Sequence, residues 1–241
     1  MRRIGIAVLG LAAAAAMAGA GTAAQAASYD VMAVSDGGTI AGTIKFTGTP
    51  PAAKTIKVNK DQAQCGDSLP DESLMVGADK GIKNVVVRLT DIKKGKKWEA
   101  KAVLDQKKCH FQPHVAVGQA GADVEILNSD GILHNIHTYS TANASINVAQ
   151  PKFKPKMTQK FAKPEIIKVT CDAHGWMLGW IVMSDHPYVA VTDEKGAFKL
   201  TDVPAGSYKV EIWHETLGKQ EKSVTVAAKA EAKLDAEFAP K

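Results

Sequence analysis

Residues 166–181 read IIKVTCDAHGWMLGWI. Ile167, Val169 and Cys171 recur with a period of two, so an extended strand puts the thiol on the same face as two apolar side chains. A thiol at the end of a core-facing row points into the protein, as a buried ligand should. His174 and Met177 follow at steps of three, and Gly175 and Gly179 let the loop fold tightly. The apolar run Leu178–Met183 leads out of the loop as a second strand.

Outward from this loop the pattern stays extended. After residue 26 helical periodicity is nearly absent, and Gly, Pro and Asp punctuate the chain roughly every ten residues. Thr39–Phe46 alternates. Lys83–Leu89 is β-branched and dense enough for a buried strand. Residues 60–82 between them are polar and read as irregular. His114–Val117 and Asp123–Leu127 flank Gly118-Gln-Ala-Gly121 as a hairpin-like connection, and a turn at 128–131 precedes a strand starting at His134. Beyond Pro187, Tyr188–Thr192, Ala197–Leu200, Ser207–Trp213, Ser223–Val226 and Ala232–Phe238 read as five short strands. This unit is small for an independent domain, so strands from the N-terminal region are candidates to complete it. The expected class is all-β, in four stretches: 1–26, 36–100, 101–185 and 186–241.

The first 26 residues have a basic start (Arg2, Arg3), an apolar Ala-rich stretch and an A-x-A site at Ala24-Gln-Ala26, which describes a secretory signal peptide. A membrane span is the weaker reading, because Gly and Thr interrupt the run before the ~20 apolar residues a span needs. The mature chain is therefore expected to be exported, periplasmic in a bacterium, with no stable membrane insertion. Of 30 Lys and Arg, removal of Arg2 and Arg3 leaves 28 against 25 Asp and Glu, a formal charge of +3. Arg88 is the one arginine left, which argues against nucleic-acid recognition. The row Lys152, Lys154, Lys156, Lys160, Lys163 reads as a solvated face.

Three cysteines in an oxidising compartment are an odd count. The economical assignment pairs Cys65 with Cys109 and leaves Cys171 as a thiolate. The rival is a second metal site using Cys109, His110 and His114. Upstream of Cys171, His134 follows a turn and starts a strand. His137 lies three positions on, so strand parity turns it to the opposite face. His134, Cys171, His174 and Met177 thus make a set of two imidazoles, a thiolate and a thioether. Zinc accepts the first three, but thioether points to copper, in a trigonal site with a weak axial sulfur. The alternative for Met177 is core filler. The sequence has no G-x-S-x-G, P-loop, H-E-x-x-H or G-x-G-x-x-G motif. A filled donor set leaves no position for substrate, so electron transfer is favoured over catalysis.

These residues carry a resemblance. Phe111-x-Pro113, Gly121, Asn128-x-Asp130-x3-His134-Asn135 and Cys171-x2-His174-x2-Met177-x-Gly179-x-Ile181 resemble a cupredoxin of the plastocyanin and amicyanin type over about 111–185. The short His-x2-Met spacing is similar to amicyanin. The resemblance implies a Greek-key β-sandwich holding one copper ion, with His134, Cys171 and His174 equatorial and Met177 axial. It also implies that Asn135 holds the two ligand loops together. Tyr188–Phe238 resembles a carboxypeptidase-regulatory-like, transthyretin-type β-sandwich module. Gly38–Pro51 is similar to the opening of such modules, which leaves open whether the cupredoxin-like part is inserted. The whole resembles exported proteins called methylamine-utilisation-like.

The expected function is a periplasmic one-electron copper carrier, not an enzyme, with a redox partner protein of unknown identity. His174 is the expected electron port and Trp176 part of the docking surface. Two alternatives stand beside it. One is copper binding or handling without electron traffic. The other is a non-catalytic β interaction protein whose metal site only stabilises it.

Overall fold

A computed structural model describes Met1 and residues 29–240. The expected signal peptide, apart from Met1, lies outside the described residues. Among those residues no helix is long and apolar enough to cross a membrane. Over the described residues the fold is all-β, with one short helix, Gln62–Cys65.

Two cores organise the strands. In the first, a five-stranded sheet runs Asn147–Gln150, His134–Tyr139, Glu165–Thr170, Leu178–Ser184, Val115–Gln119. It faces a four-stranded sheet of Lys156–Lys160, Asp123–Asn128, Ala102–Lys107 and His110–Gln112. The alternation seen in sequence is the packing pattern: Ile167, Val169 and Cys171 from one sheet and Leu104, Val124 and Ile126 from the other share one buried cluster. Burial of such side chains contributes about 1.5–3 kcal/mol each.

The second core draws on both ends of the chain. Gly38–Phe46 pairs with Ala197–Val203 and with two C-terminal strands, Glu231–Lys233 and Ala236–Phe238. Val86–Leu89 lies between Val189–Val191 and Gly206–His214, and Gly218–Val226 completes that sheet. The valine run at 85–87 is explained by burial on both faces. Val85, Val87 and Leu89 join the second core, while Val86 meets Val115 and Val182 of the first sandwich. Trp180 and Trp213 pack edge to face at 4.9 Å across the same junction. Arg88 binds Glu211 on the adjacent strand at 2.7 Å.

Four readings of the sequence change. The stretch 36–100 is divided: its ends build the second core, but Val58, Cys65 and Leu69 pack into the first. Residues 60–82 are not wholly irregular, because Ser68–Pro70 pairs with Thr55–Lys57 beside the short helix. The segment 114–127 is no hairpin. Its two strands belong to opposite sheets, and the crossover is stitched by Ala120 N–H to Ser184 O and Gly121 N–H to Phe161 O, both 2.8 Å. Finally, Ala232–Phe238 is two strands, because Asp235 breaks the run to accept the Thr43 backbone N–H at 2.9 Å. Gly42 makes room for that step: a Cβ there would lie 1.9 Å from the Leu234 carbonyl oxygen.

Glu165, at the start of the strand that leads to Cys171, organises the 140–143 turn. Its carboxylate accepts backbone N–H groups of Thr141 (2.6 Å), Ala142 (3.1 Å) and Asn143 (3.3 Å), and the Ser140 hydroxyl. Partial burial opposes ionisation, but these donors outweigh it and hold the carboxyl at about 2. A depressed folded value means stability present at neutral pH and lost as pH falls from the ordinary carboxylate range through about 2. Glu165→Gln should therefore lower the urea midpoint at pH 7, with the gap to wild type narrowing toward pH 2.

Candidate metal centre

The Cys171 loop closes on itself through Cys171 N–H to Met177 O at 3.3 Å and Met177 N–H to His174 O at 2.9 Å. Gly179 is required here, since a Cβ would come within 2.9 Å of Phe111 Cβ. Gly175 is not: a Cβ there would meet open space. Opposite, Asn128 braces the turn before His134 by donating to Ile132 O and Gln150 O, each at 2.8 Å.

His134 and His174 meet Cys171 through the same type of ring atom. The Cys171 sulfur is 3.8 Å from Nδ1 of each histidine, and the two Nδ1 atoms are 3.0 Å apart. All three residues are buried, with His134 and His174 at 0 % exposure. A point equidistant from the three atoms lies about 2.1 Å from each, close to the ~2.0–2.3 Å that a divalent transition ion keeps from imidazole nitrogen and thiolate sulfur. The donor set therefore fits a metal ion. Met177 is buried at the end of the loop within the same cluster.

The surrounding groups orient these donors. Asp130 contacts His134 Nε2 at 3.0 Å and is itself held by the N–H groups of Lys108 and Cys109. Asp61 contacts His174 Nε2 at 2.8 Å. Each carboxylate takes the remote nitrogen and leaves Nδ1 facing the sulfur. Asn135 ties the two loops: its backbone N–H points at the Cys171 sulfur at 3.4 Å, and its side-chain oxygen accepts from Asp172 N–H and from Ala173 N–H at 3.2 Å.

Electrostatics follow from this geometry. Burial disfavours a charged His134, but Asp130 and the Cys171 sulfur outweigh it and raise His134 to about 9. Burial would raise the Cys171 thiol; His134 and backbone N–H donors bring it below its ordinary range instead. Burial, aided by the charge on His134, lowers His174 against the pull of Asp61. The surroundings thus favour negative charge on the Cys171 sulfur and positive charge on His134, and disfavour a second positive charge on His174.

Other residues singled out from sequence fall as follows. Cys65 and Cys109 form a disulfide, with Cα atoms 5.4 Å apart, and Cys171 is free. Cys109, Asp130 and His134 also lie close enough to suggest a cation site, but the disulfide takes the Cys109 sulfur. His137 lies on the other face of its strand, paired with Asp172 and stacked on Tyr139 at 4.5 Å. Trp176 packs on His174 at 5.1 Å and donates to Cys109 O.

The expected port at His174 is corrected. His174 does not reach the surface, because residues 58–65 lie over it. Asp61 caps its Nε2, Lys60 Nζ binds Ala173 O at 3.3 Å, and the Cys65–Cys109 bond ties this strap to the first sandwich. Asp61 and Asp130 were missed as histidine partners. Asp130 sits four residues before His134 in a turn, a detectable signal; Asp61 is 113 residues from His174, and no local pattern marks it.

Comparison with known proteins bears on parts of the chain. Residues 160–234 match the family profile described as polysaccharide lyase family 4, domain II. That is under a third of the chain. It is not the carboxypeptidase-regulatory description expected for the C-terminal unit. No curated protein matches. Similar solved structures include a copper-containing nitrite reductase from Thermus scotoductus SA-01, at 16% identity and TM-score 0.33, over 42% of this chain and 26% of that one. The chain thus spans about a quarter of that reductase. A purple cupredoxin from Nitrosopumilus maritimus matches at 19% identity and TM-score 0.30, over 36% of this chain and all of that one. An oxidised amicyanin variant matches at 18% identity and TM-score 0.32, over 48% of this chain and 96% of that one. The all-β assignment rests on the strand topology described above.

Removing the strap's anchor has a defined consequence. In a Cys65→Ser/Cys109→Ser variant, and more mildly in Asp61→Ala, His174 should become accessible to solvent. Metal bound at the centre should then be withdrawn by an external chelator at least ~10-fold faster than from wild type, measured by stopped-flow.

Proposed function

We propose that this chain is an exported type 1 (blue) copper protein that carries one electron at a time, with His134, Cys171 and His174 holding a single copper ion and Met177 as its weak axial neighbour. The reading is supported by one observation above the rest: a buried triangle of two imidazole nitrogens and one sulfur, with edges of 3.0 and 3.8 Å, in a cluster that also buries Met177. When bound there, copper supplies a thiolate-linked one-electron couple.

The protein's own residues do the remainder. Cys171 enters as a thiolate, and the Asn135 N–H offsets part of its charge. Asp130 and Asp61 keep the two rings turned so that Nδ1 stays aimed inward. Phe111, Ile136 and Val169, all buried in the same cluster, exclude water. Donors fixed in this way move little between oxidation states, which favours fast electron exchange. Four side chains fill the donor set and leave no position for substrate, so we read the protein as a carrier and not an enzyme. Its partner is then a redox protein. We read residues 186–241, together with Gly38–Phe46, as a non-catalytic regulatory-like module, and the N-terminal 26 residues as the signal that directs export to the periplasm.

A second reading, copper capture without electron traffic, is favoured by the strap over His174, since a covered ligand edge suits retention more than exchange. Two measurements separate and test these readings. Loading the mature protein with Cu(II) should give an intense visible thiolate-to-copper band. Cys171→Ser should abolish it, while Met177→Leu should keep it and shift the reduction potential. Bound copper without that band would exclude the type 1 reading. Copper that is held against a Cu(I) chelator and exchanges electrons only slowly with a soluble redox dye would select the second.

A further inference from the structure

We propose that Glu72, His110 and His114 form a second site for a divalent transition ion, steadied by Glu215, where the two sandwiches meet. It shares no donor with the Cys171 centre and does not depend on the function assigned to that centre.

The four side chains come from three separate parts of the chain. Glu72 follows the Ser68–Pro70 strand that continues the strap. His110 opens the His110–Gln112 strand and His114 precedes Val115–Gln119. Glu215 follows Gly206–His214 in the second core. One oxygen of Glu72, Oε2, faces both imidazoles: it is 3.3 Å from His110 Nδ1 and 3.8 Å from His114 Nδ1. The other nitrogen of His114, Nε2, contacts the Glu215 carboxylate closely.

His114 makes this more than a surface ion-pair network. Its side chain is only 3 % exposed, and its Nδ1 is a buried polar atom without a hydrogen-bond partner. Glu215, itself 7 % exposed, is placed to take the Nε2 hydrogen, and in that tautomer the Nδ1 lone pair is aimed toward a carboxylate oxygen. Two electron-rich atoms facing each other in a half-buried pocket repel unless a positive charge sits with them. A divalent ion does it well, since it accepts both atoms as ligands. The carboxylate–imidazole–metal relay through Glu215 is the arrangement that orients metal-bound histidines elsewhere.

There is room for the ion. A pocket of about 60 Å³ is lined by Glu72, His110, His114, Trp176 and Leu178, enough for an ion and a bound water. Unlike the donors of the Cys171 centre, those of Glu72, His110 and His114 do not all lie within reach of one ion as they stand; the proposed site requires the half-buried His110 ring to swing toward His114. Two imidazoles and a carboxylate suit Zn(II), Cu(II), Ni(II) or Fe(II), and do not suit Ca(II) or Mg(II), which take oxygen ligands. The ion would clamp the strap, the first sandwich and the second core together at one point.

The test is a calorimetric titration with Zn(II) of the mature protein, disulfide intact. Wild type should bind two equivalents and Cys171→Ser should keep one. In the Cys171→Ser background, Glu72→Gln, which keeps the shape of the side chain, or His110→Ala should remove that equivalent. Glu215→Gln should keep it but weaken it by about 10–100-fold, as loss of an orienting partner does. Zn(II) should also raise the melting temperature of Cys171→Ser, a readout that needs no change at the new site. A Cys171→Ser protein that takes up no Zn(II), or whose bound Zn(II) survives both Glu72→Gln and His110→Ala, would overturn the proposal. Loss of the other equivalent alone would count only against the Cys171 centre.

Discussion

Two imidazole nitrogens and a sulfur, 3.0–3.8 Å apart in a dry interior, form an arrangement that a protein cannot leave uncompensated. Burying polar donors without partners costs several kcal/mol, and burying a thiolate costs more. The structure meets that cost by placing a carboxylate behind each ring, at Asp130 and Asp61, and a backbone N–H over the sulfur, at Asn135. Much of the architecture near Cys171 follows from this need. The turn at 128–132 is braced by Asn128, the two ligand loops are tied by Asn135, and the Cys171 loop is closed by two internal hydrogen bonds.

The same constraint accounts for the strap. Asp61 is presented by a short polar segment that has few apolar residues of its own beyond Val58 and Cys65. Such a segment would not hold its position by burial alone. The disulfide to Cys109 anchors it, and Cys109 in turn donates its backbone N–H to Asp130. One covalent link thus stands near both carboxylates that orient the histidines. A covered ligand edge distinguishes this chain from a bare sandwich with an open rim.

At the scale of the fold, the dominant device is the strand buried on two sides. Val86–Leu89 gives Val87 and Leu89 to one core and Val86 to the junction with the other. Trp180 and Trp213 meet across that junction, and Glu215 reaches His114 over it. The two sandwiches are therefore in contact through apolar packing and through buried ionisable groups. This is where the sequence pattern and the three-dimensional arrangement differ most: a run of valines announces a buried strand, but not which face serves which core.

Local chemistry made several features legible from the chain alone. Period-two alternation set Ile167, Val169 and Cys171 on one face, strand parity turned His137 away from His134, and the odd cysteine count left Cys171 free. These depend on nearest neighbours and on counting, so no long-range information is needed. The tertiary structure alone decided what depends on chain segments far apart in sequence. It placed 114–119 and 123–128 in opposite sheets, because both strands carry apolar faces that a hairpin would have left on one side. It divided residues 36–100 between two cores, and it laid Asp61 on His174 across 113 residues. It also brought Glu72 and Glu215 to His114, whose buried nitrogen no reading of spacing would have found without a partner. Alternation and spacing report the face on which a residue lies, whereas the identity of what lies opposite is a property of the closed fold.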